Sequence, residues 1–376
     1  MRKIPTTSLL ILLVLWMGTS CAGDPAPPET AGSSEESHPV ETLKLSDFKP
    51  VSRYQMPATR VEKARFPAID LHAHPYVDNE AELDEWVQIM DEVGLDKSVV
   101  MTYATGARFD TLARLFSKYP DRFILFCGFD YTGFEDPGFG PAAVAELERC
   151  VQAGARGVGE LGDKGKGLFY SKPTPAYGMH IDDPRMKPLI EKCGELGIPI
   201  SIHVAEPIWM YDDMNAQNDG LMNAFKWRLD NQEGILGHGE TVQTLDNAVK
   251  ANPNTTFIAC HYANCSYDLS ILGGMFDRYP NLYADIGARY AETAAIPRTV
   301  NRFFQQYQDR LVYGTDMGTD PEMYRTTFRI LESEDEHFYD HNISSYHWSM
   351  NGYGLPPEVL EKVYRDNALR ILSPPK

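Results

Sequence analysis

The sequence is short of positive charge: 35 Lys and Arg stand against 53 Asp and Glu, for a net charge of −18 at pH 7. Neutralising a phosphate backbone needs clustered cations, so this balance argues against a nucleic-acid partner. Cysteine is sparse as well. Its six residues lie far apart with no Cys-x-x-Cys pair, so neither a zinc ribbon nor a disulfide-stapled scaffold is indicated. No Gly-x-Gly-x-x-Gly turn follows an apolar run, which weighs against a dinucleotide-binding fold. The apolar run Leu9–Met17 (LLILLVLWM) has nine residues, where about 20 are needed to span a bilayer. Hydrophobic residues at 43% and aromatics at 11% are nevertheless enough for a large core, which excludes a wholly disordered chain.

Arg2 and Lys3 precede that apolar run and Gly18-Thr19-Ser20-Cys21 follows it, the form of an export signal over residues 1–20. The stretch before Cys21 resembles a bacterial lipobox, with Gly18 where that pattern prefers Leu. Lipidation of Cys21 is the first reading and ordinary cleavage a few residues later the second. Either places the mature protein outside the cytoplasm, periplasmic or lipid-anchored, with membrane contact only through that anchor. Residues 21–60 begin rich in Pro, Ser and Glu, which cannot offset the entropy of ordering, and read as a flexible tether. The folded domain is expected over 61–376.

From Pro67 onward short apolar runs alternate with amphipathic segments. The runs are Ala68–Leu71, Lys97–Met101, Phe123–Gly128, Ala155–Leu161, Ile198–Val204, Thr256–Cys260, Leu282–Ile286 and Leu311–Gly314. They are β-branched and nearly continuous, as parallel strands buried on both faces should be. Between the first two, Leu83, Trp86, Val87, Met90 and Val93 recur at helical spacing before a terminating Gly94. Eight such β/α units predict an α/β fold, a (β/α)8 TIM barrel with an inserted loop or helical segment after strand five, Glu206–Glu240. An open doubly wound sheet is the structural alternative.

In a barrel the chemistry sits where strands end. Strand one ends Asp70-Leu71-His72-Ala73-His74, and side chains at i and i+2 point the same way, so this pair can grip one cation. Strand four ends at Glu160, strand five at His203, strand six at His261 and strand eight at Asp316. A lone histidine after an apolar run is more often a core residue bonded to a carbonyl. Their joint placement is different, because ionisable groups brought together in a barrel mouth cost several kcal/mol each unless a cation compensates them.

As an ordered set, His72-Ala73-His74, His203, His261 and Asp316 resemble the amidohydrolase superfamily, and within it the amidohydrolase-related (amidohydrolase 2) branch of metal-dependent TIM-barrel hydrolases and non-oxidative decarboxylases. The ending Tyr364–Leu372 resembles that branch's terminal helix. The resemblance implies that His72, His74, His203 and Asp316 hold a divalent metal, zinc first, with manganese, iron or cobalt as rivals. It implies that Asp316 also moves protons, and that His261 is either a second-metal ligand or a general acid/base and electrophile. Glu160 is either a bridge between two metals or an outer contact beside one; one metal is expected. The implied activity is hydrolysis of a lactone, amide or ester by metal-activated water. A decarboxylase of the same branch is the alternative, and an inert surface-attached binding protein on a barrel scaffold is the alternative from another class.

Three further residues are read as substrate contacts. Lys164 lies in a Gly- and Lys-rich loop after Glu160 and suits an anion. Arg289 follows strand seven and can clamp a carboxylate. Trp209 stands in the aromatic insertion Glu206–Glu240. A second aromatic segment, Glu332–Pro357, carries His337, His341 and His347 and reads as a surface or docking element. The expected partner is a small-molecule substrate, with a homo-oligomer possible.

Overall fold

Each apolar run forms a strand, and the strands bond in chain order. The computed structural model describes residues 39–170 and 174–373. The stretch read as an export signal, and Cys21, lie outside the described residues. Among those described, no helix is long and apolar enough to cross a membrane. The chain divides into two compact units, Met1–Lys44 and Leu45–Lys376. Of the first, the described part holds a 3-10 turn over Pro39–Thr42.

Among the described residues the second unit carries ten strands: β1 (Ala68–Ala73), β2 (Leu95–Met101), β3 (Phe123–Phe126), β4 (Val158–Asp163), β5 (Gly167–Leu168), β6 (Ala176–Tyr177), β7 (Ile200–Val204), β8 (Phe257–Ala259), β9 (Leu282–Asp285) and β10 (Leu311–Val312). β5 and β6 form a small antiparallel hairpin. The other eight pair in parallel in two arcs, β1-β2-β3 and β4-β7-β8-β9-β10. Two contacts join the arcs. Cys127, just past β3, bridges to Val158 of β4, and the Leu71 N–H donates to the Tyr313 carbonyl at 2.9 Å. The ring closes as a barrel, with a helix after most strands. Ile69, Leu71, Val99, Met101, Phe126, Ile258, Cys260 and Val312 form one buried cluster, and the terminal helix Asn367–Leu372 sends Ala368 and Ile371 into it.

The helix Glu80–Val93 shows how the sequence sets such elements. Asn79 caps it by accepting from the Ala81 and Glu82 N–H groups, Gly94 ends it at φ 82°, and the five residues of the apolar stripe are its buried ones. Gly157, Gly159 and Gly162 do carry the Gly-x-Gly-x-x-Gly spacing, but they stand before and inside β4 rather than in a turn after it. A Cβ at Gly157 would come within 2.5 Å of the Phe126 ring, and one at Gly162 within 2.6 Å of Tyr170. These glycines serve close packing.

Two expected segments differ in detail. The insertion Glu206–Glu240 folds into three short turns, Ile208–Met210, Leu221–Ala224 and Phe225–Trp227, around its own cluster of Met210, Ala224 and Leu229. The stretch read as tether up to residue 60 is partly fixed. His341 Nε2 lies 2.9 Å from the Pro50 carbonyl, and the Thr59 N–H and hydroxyl both donate to Asp335 at 2.7 Å. Side-chain bonds from the folded body hold a backbone that composition alone would leave loose.

Candidate active site

Six side chains from five strand ends meet at the C-terminal mouth of the barrel. His72 lies in β1 and His74 just beyond it, Glu160 in β4, His203 in β7, His261 after β8 and Asp316 after β10. Glu160 is central. Its Oε1 lies 3.0 Å from His203 Nδ1, 3.4 Å from His261 Nε2 and 3.9 Å from His72 Nε2, and its Oε2 is 3.6 Å from His74 Nε2. Asp316 closes the other side, with Oδ1 3.0 Å from His74 Nε2 and 3.6 Å from His72 Nε2, and Oδ2 3.6 Å from His261 Nε2.

Contacts behind the rings fix their orientation. His72 Nδ1 is 2.9 Å from Asp285 Oδ2, His74 Nδ1 is 3.0 Å from the Met101 carbonyl, and His261 Nδ1 is 2.8 Å from the Gly287 carbonyl. A carbonyl can only accept, so His74 and His261 donate from Nδ1 and turn an Nε2 lone pair toward the centre. His203 differs. Its Nδ1 faces Glu160, while its Nε2 points to the Ala205 carbonyl at 2.8 Å. The backbone around His261 is unusual too: His261, Tyr262, Ala263 and Asn264 all have φ between 54° and 59°. A left-handed turn of four non-glycine residues is disfavoured by about 1–2 kcal/mol each. The turn sets His261 at the mouth and lets the Asn264 amide donate to the Val204 carbonyl at 2.9 Å.

The electrostatics favour a cation. Burial alone would raise the Glu160 carboxyl, yet its contacts with His203 and His261 and the nearby charge of His72 hold it well below its ordinary range. Asp316 is likewise lowered against burial, by the His72 charge and its close contact with His74. On His72 burial is outweighed by Asp285 and Asp316, and its pKa is pushed up to about 10. A field that favours a proton there favours a divalent ion in the same place. Burial lowers His261, with Glu160 opposing.

The donor set fits a metal. His72 Nε2 is buried with no hydrogen-bond partner, while carboxylate oxygens stand 3.6 and 3.9 Å away. Ligand atoms of His72, His74 and Asp316 lie within 4.8 Å of one another, as do those of His72, Glu160 and His261. Imidazoles with carboxylates are the ligands of zinc and its first-row neighbours.

A cavity of about 420 Å³ opens over this cluster, within the range that holds small ligands. Lys164 and Arg289 line it. Both pair with Glu206, Lys164 directly and Arg289 through Nη2 at 3.4 Å; Lys164 Nζ also sits 3.7 Å over the Tyr170 ring. Trp209 does not line the cavity. It packs behind the wall, 6.1 Å from Tyr346 and 5.7 Å from Trp348 between ring centres, and Trp227 and Met210 of the same insertion reach the lumen instead. The segment after residue 332 contributes Ile343, Ser345 and Tyr346 to the wall, and none of its three histidines. Sequence reasoning missed Asp285 and Glu206. The signals were slight: a carboxylate closing the seventh apolar run, and one three residues after His203.

A family model for amidohydrolases matches residues 69–373, nearly all of the barrel unit. The chain belongs to the amidohydrolase family. Solved structures similar to this amidohydrolase include 2,6-dihydroxybenzoate decarboxylase from Rhizobium, at 17% identity over 82% of this chain and 98% of that one, with a TM-score of 0.51. An uncharacterised TIM-barrel protein from Bordetella bronchiseptica matches at 17% identity, with the same coverages and a TM-score of 0.50. An amidohydrolase from Burkholderia multivorans matches at 9% identity over 82% and 100% of the two chains, also at 0.50. At these identities the likeness shows the barrel fold. No curated protein matches the sequence.

Proposed function

We propose that this amidohydrolase is a metal-dependent hydrolase that cleaves a lactone, amide or ester in a small substrate bearing a carboxylate. The observation that carries this reading is the convergence of His72, His74, His261, Glu160 and Asp316 on one buried, unpartnered Nε2. His72, His74 and Asp316, with Glu160 and His261 opposite, would hold the ion; zinc suits this donor set first and manganese next. Such a cation supplies Lewis acidity, polarising a carbonyl and bringing the pKa of water toward 7. The remaining steps belong to the chain. Asp316, at the mouth beside His74, takes the proton of the attacking water and passes it to the leaving group. His261 offers a lone pair rather than a proton, since Nδ1 faces the Gly287 carbonyl; it serves as ligand or base, not as the oxyanion donor that a protonated ring would be. Lys164 pairs with Glu206, and Arg289 with both Glu206 and Glu292; both cations line the cavity, where a substrate carboxylate can compete for them.

A second reading is a non-oxidative decarboxylase, the activity named for the Rhizobium protein. What favours it is the wall of Tyr103, Tyr170, Trp227 and Tyr346, on which an aryl ring can stack. The two readings part in one screen. Protein loaded with zinc or manganese is given carboxylated lactones, amides, esters and hydroxybenzoates, and acid release and CO2 loss are followed separately. Hydrolysis supports the first reading, and CO2 loss alone replaces it with the second. A protein that binds no divalent metal and turns nothing over is a binding protein on a barrel scaffold.

A further inference from the structure

The segment Leu45–Arg65 combines two features. The first is exposed apolar surface. Leu45, Phe48, Val51, Tyr54 and Met56 are all solvent-exposed, Val51 at 80% and Tyr54 at 66%. They make up five of the ten large exposed apolar side chains described from Leu45 onward, whereas exposed apolar residues are normally scattered singly. The second is charge. Between Leu45 and Arg65 stand Lys49, Arg53, Arg60, Lys63 and Arg65 against Asp47 and Glu62, in a chain of net charge −18. All five cations are exposed, and only Arg60 has an ion-pair partner among the described residues, Glu62.

The segment is nonetheless held in place. Ser52 Oγ meets His337 Nδ1 at 3.1 Å, the Tyr54 ring packs edge-on against His337 at 4.7 Å, and Pro50 and Thr59 are tied to His341 and Asp335. Its polar atoms bond to the body while Leu45, Phe48, Val51, Met56 and the five cations stay exposed. Such a strap has the composition of a surface that lies on a bilayer, with apolar side chains at the acyl boundary and cations on lipid phosphates. We infer that Leu45–Arg65 docks on an anionic membrane surface, as a contact separate from any lipid at Cys21. The 24 residues from Cys21 to Leu45 span at most about 80 Å, so a lipid anchor would keep the strap near the same bilayer. The strap does not depend on that anchor.

The test uses the full chain as Cys21→Ser, which can carry no lipid at that residue, and sediments it with vesicles. One set is an equal mixture of phosphatidylglycerol and phosphatidylcholine; the other is phosphatidylcholine alone. The expected result is binding about tenfold stronger to the anionic vesicles, weakening as salt rises. A strap variant, Phe48→Ser, Val51→Ser, Lys49→Glu, Arg53→Glu and Lys63→Glu, should lose that preference while keeping the parent's melting temperature. These residues lie outside the cavity, so metal content should not change either. Equal binding to both vesicle types, or a preference that survives in the strap variant, overturns the inference. So does a self-associated chain that the strap variant turns into monomers, which would assign the surface to a second copy instead.

Discussion

His72 Nδ1 lies 2.9 Å from Asp285 Oδ2, and both side chains are completely buried. Asp285 thereby fixes the ring that carries the unpartnered Nε2. Its other oxygen accepts the N–H groups of His261 and Gly287 at 3.0 and 2.9 Å, so one carboxylate orients two of the histidines. In Asp285→Asn the amide can keep those backbone bonds, but an NH2 facing His72 Nδ1 opposes the donation that frees Nε2. Metal affinity should fall about 10–100-fold, measured by competition with a chelator. Affinity equal to the parent's would show that Asp285 has no part in orienting the ring.

Glu160 decides the metal count. It touches all four histidines, and a bridge between two ions would occupy the same place. Its Oε1 is already engaged by His203 Nδ1 at 3.0 Å, so one metal per chain is expected, and Glu160→Gln should still hold it. Elemental analysis giving two equivalents in the parent and one in the variant would reverse this assignment.

Lys164→Met separates substrate docking from chemistry. The methionine keeps an apolar stem against Tyr170 and removes the cation that pairs with Glu206. KM for a carboxylated substrate should rise about tenfold or more with kcat little changed, the loss of one charge-assisted contact of about 1.5–3 kcal/mol. An uncharged analogue should show no such change. Equal effects on both substrates would mean that Lys164 only supports the wall.

Glu146 supplies an acid-sensitive tie away from the site. Arg149 donates to it from Nε at 2.8 Å, and the Gly106 N–H does so at 2.7 Å. Mainly through the Arg149 bond, and against some burial, its pKa falls from 4.5 to about 2. The folded value lies below the unfolded one, so the tie stabilises fully above pH 4.5 and fades as pH falls toward 2. After allowance for solvent, about 1 kcal/mol is at stake. Denaturant unfolding should show Glu146→Gln less stable than the parent near pH 7, by about that amount, with the gap narrowing below pH 4.5 and closing toward pH 2. A gap of constant size would assign the loss to packing.

The histidines of the mouth were legible because each lies at the end of an apolar run, and strand ends in a parallel barrel converge whatever their distance in sequence. The barrel followed from the same runs. Asp285 was not legible as a partner, because the contact that gives it meaning spans 213 residues. Trp209 misled for a local reason: the insertion places Trp227 and Met210 in the lumen and turns Trp209 back against Tyr346 and Trp348. Nothing in Cys260-His261-Tyr262-Ala263-Asn264 announces four successive left-handed residues, since none is glycine. The surrounding hydrogen bonds impose that turn, and they exist only in the folded chain.

Asp316 provides the sharpest test of the chemistry. Its φ of 55° lies in the left-handed region, which asparagine tolerates as readily as aspartate, so Asp316→Asn changes charge without straining the backbone. The amide oxygen can still face His74 and can still coordinate a cation weakly. It cannot accept a proton at neutral pH. Metal should therefore be partly retained while turnover drops by about 10²–10⁴-fold, the usual contribution of a positioned acid/base. Metal content and kcat must be read on the same preparation, because loss of both together would mean only that a ligand was removed. Turnover within tenfold of the parent, with metal in place, would take proton transfer away from Asp316 and leave His261 as the base.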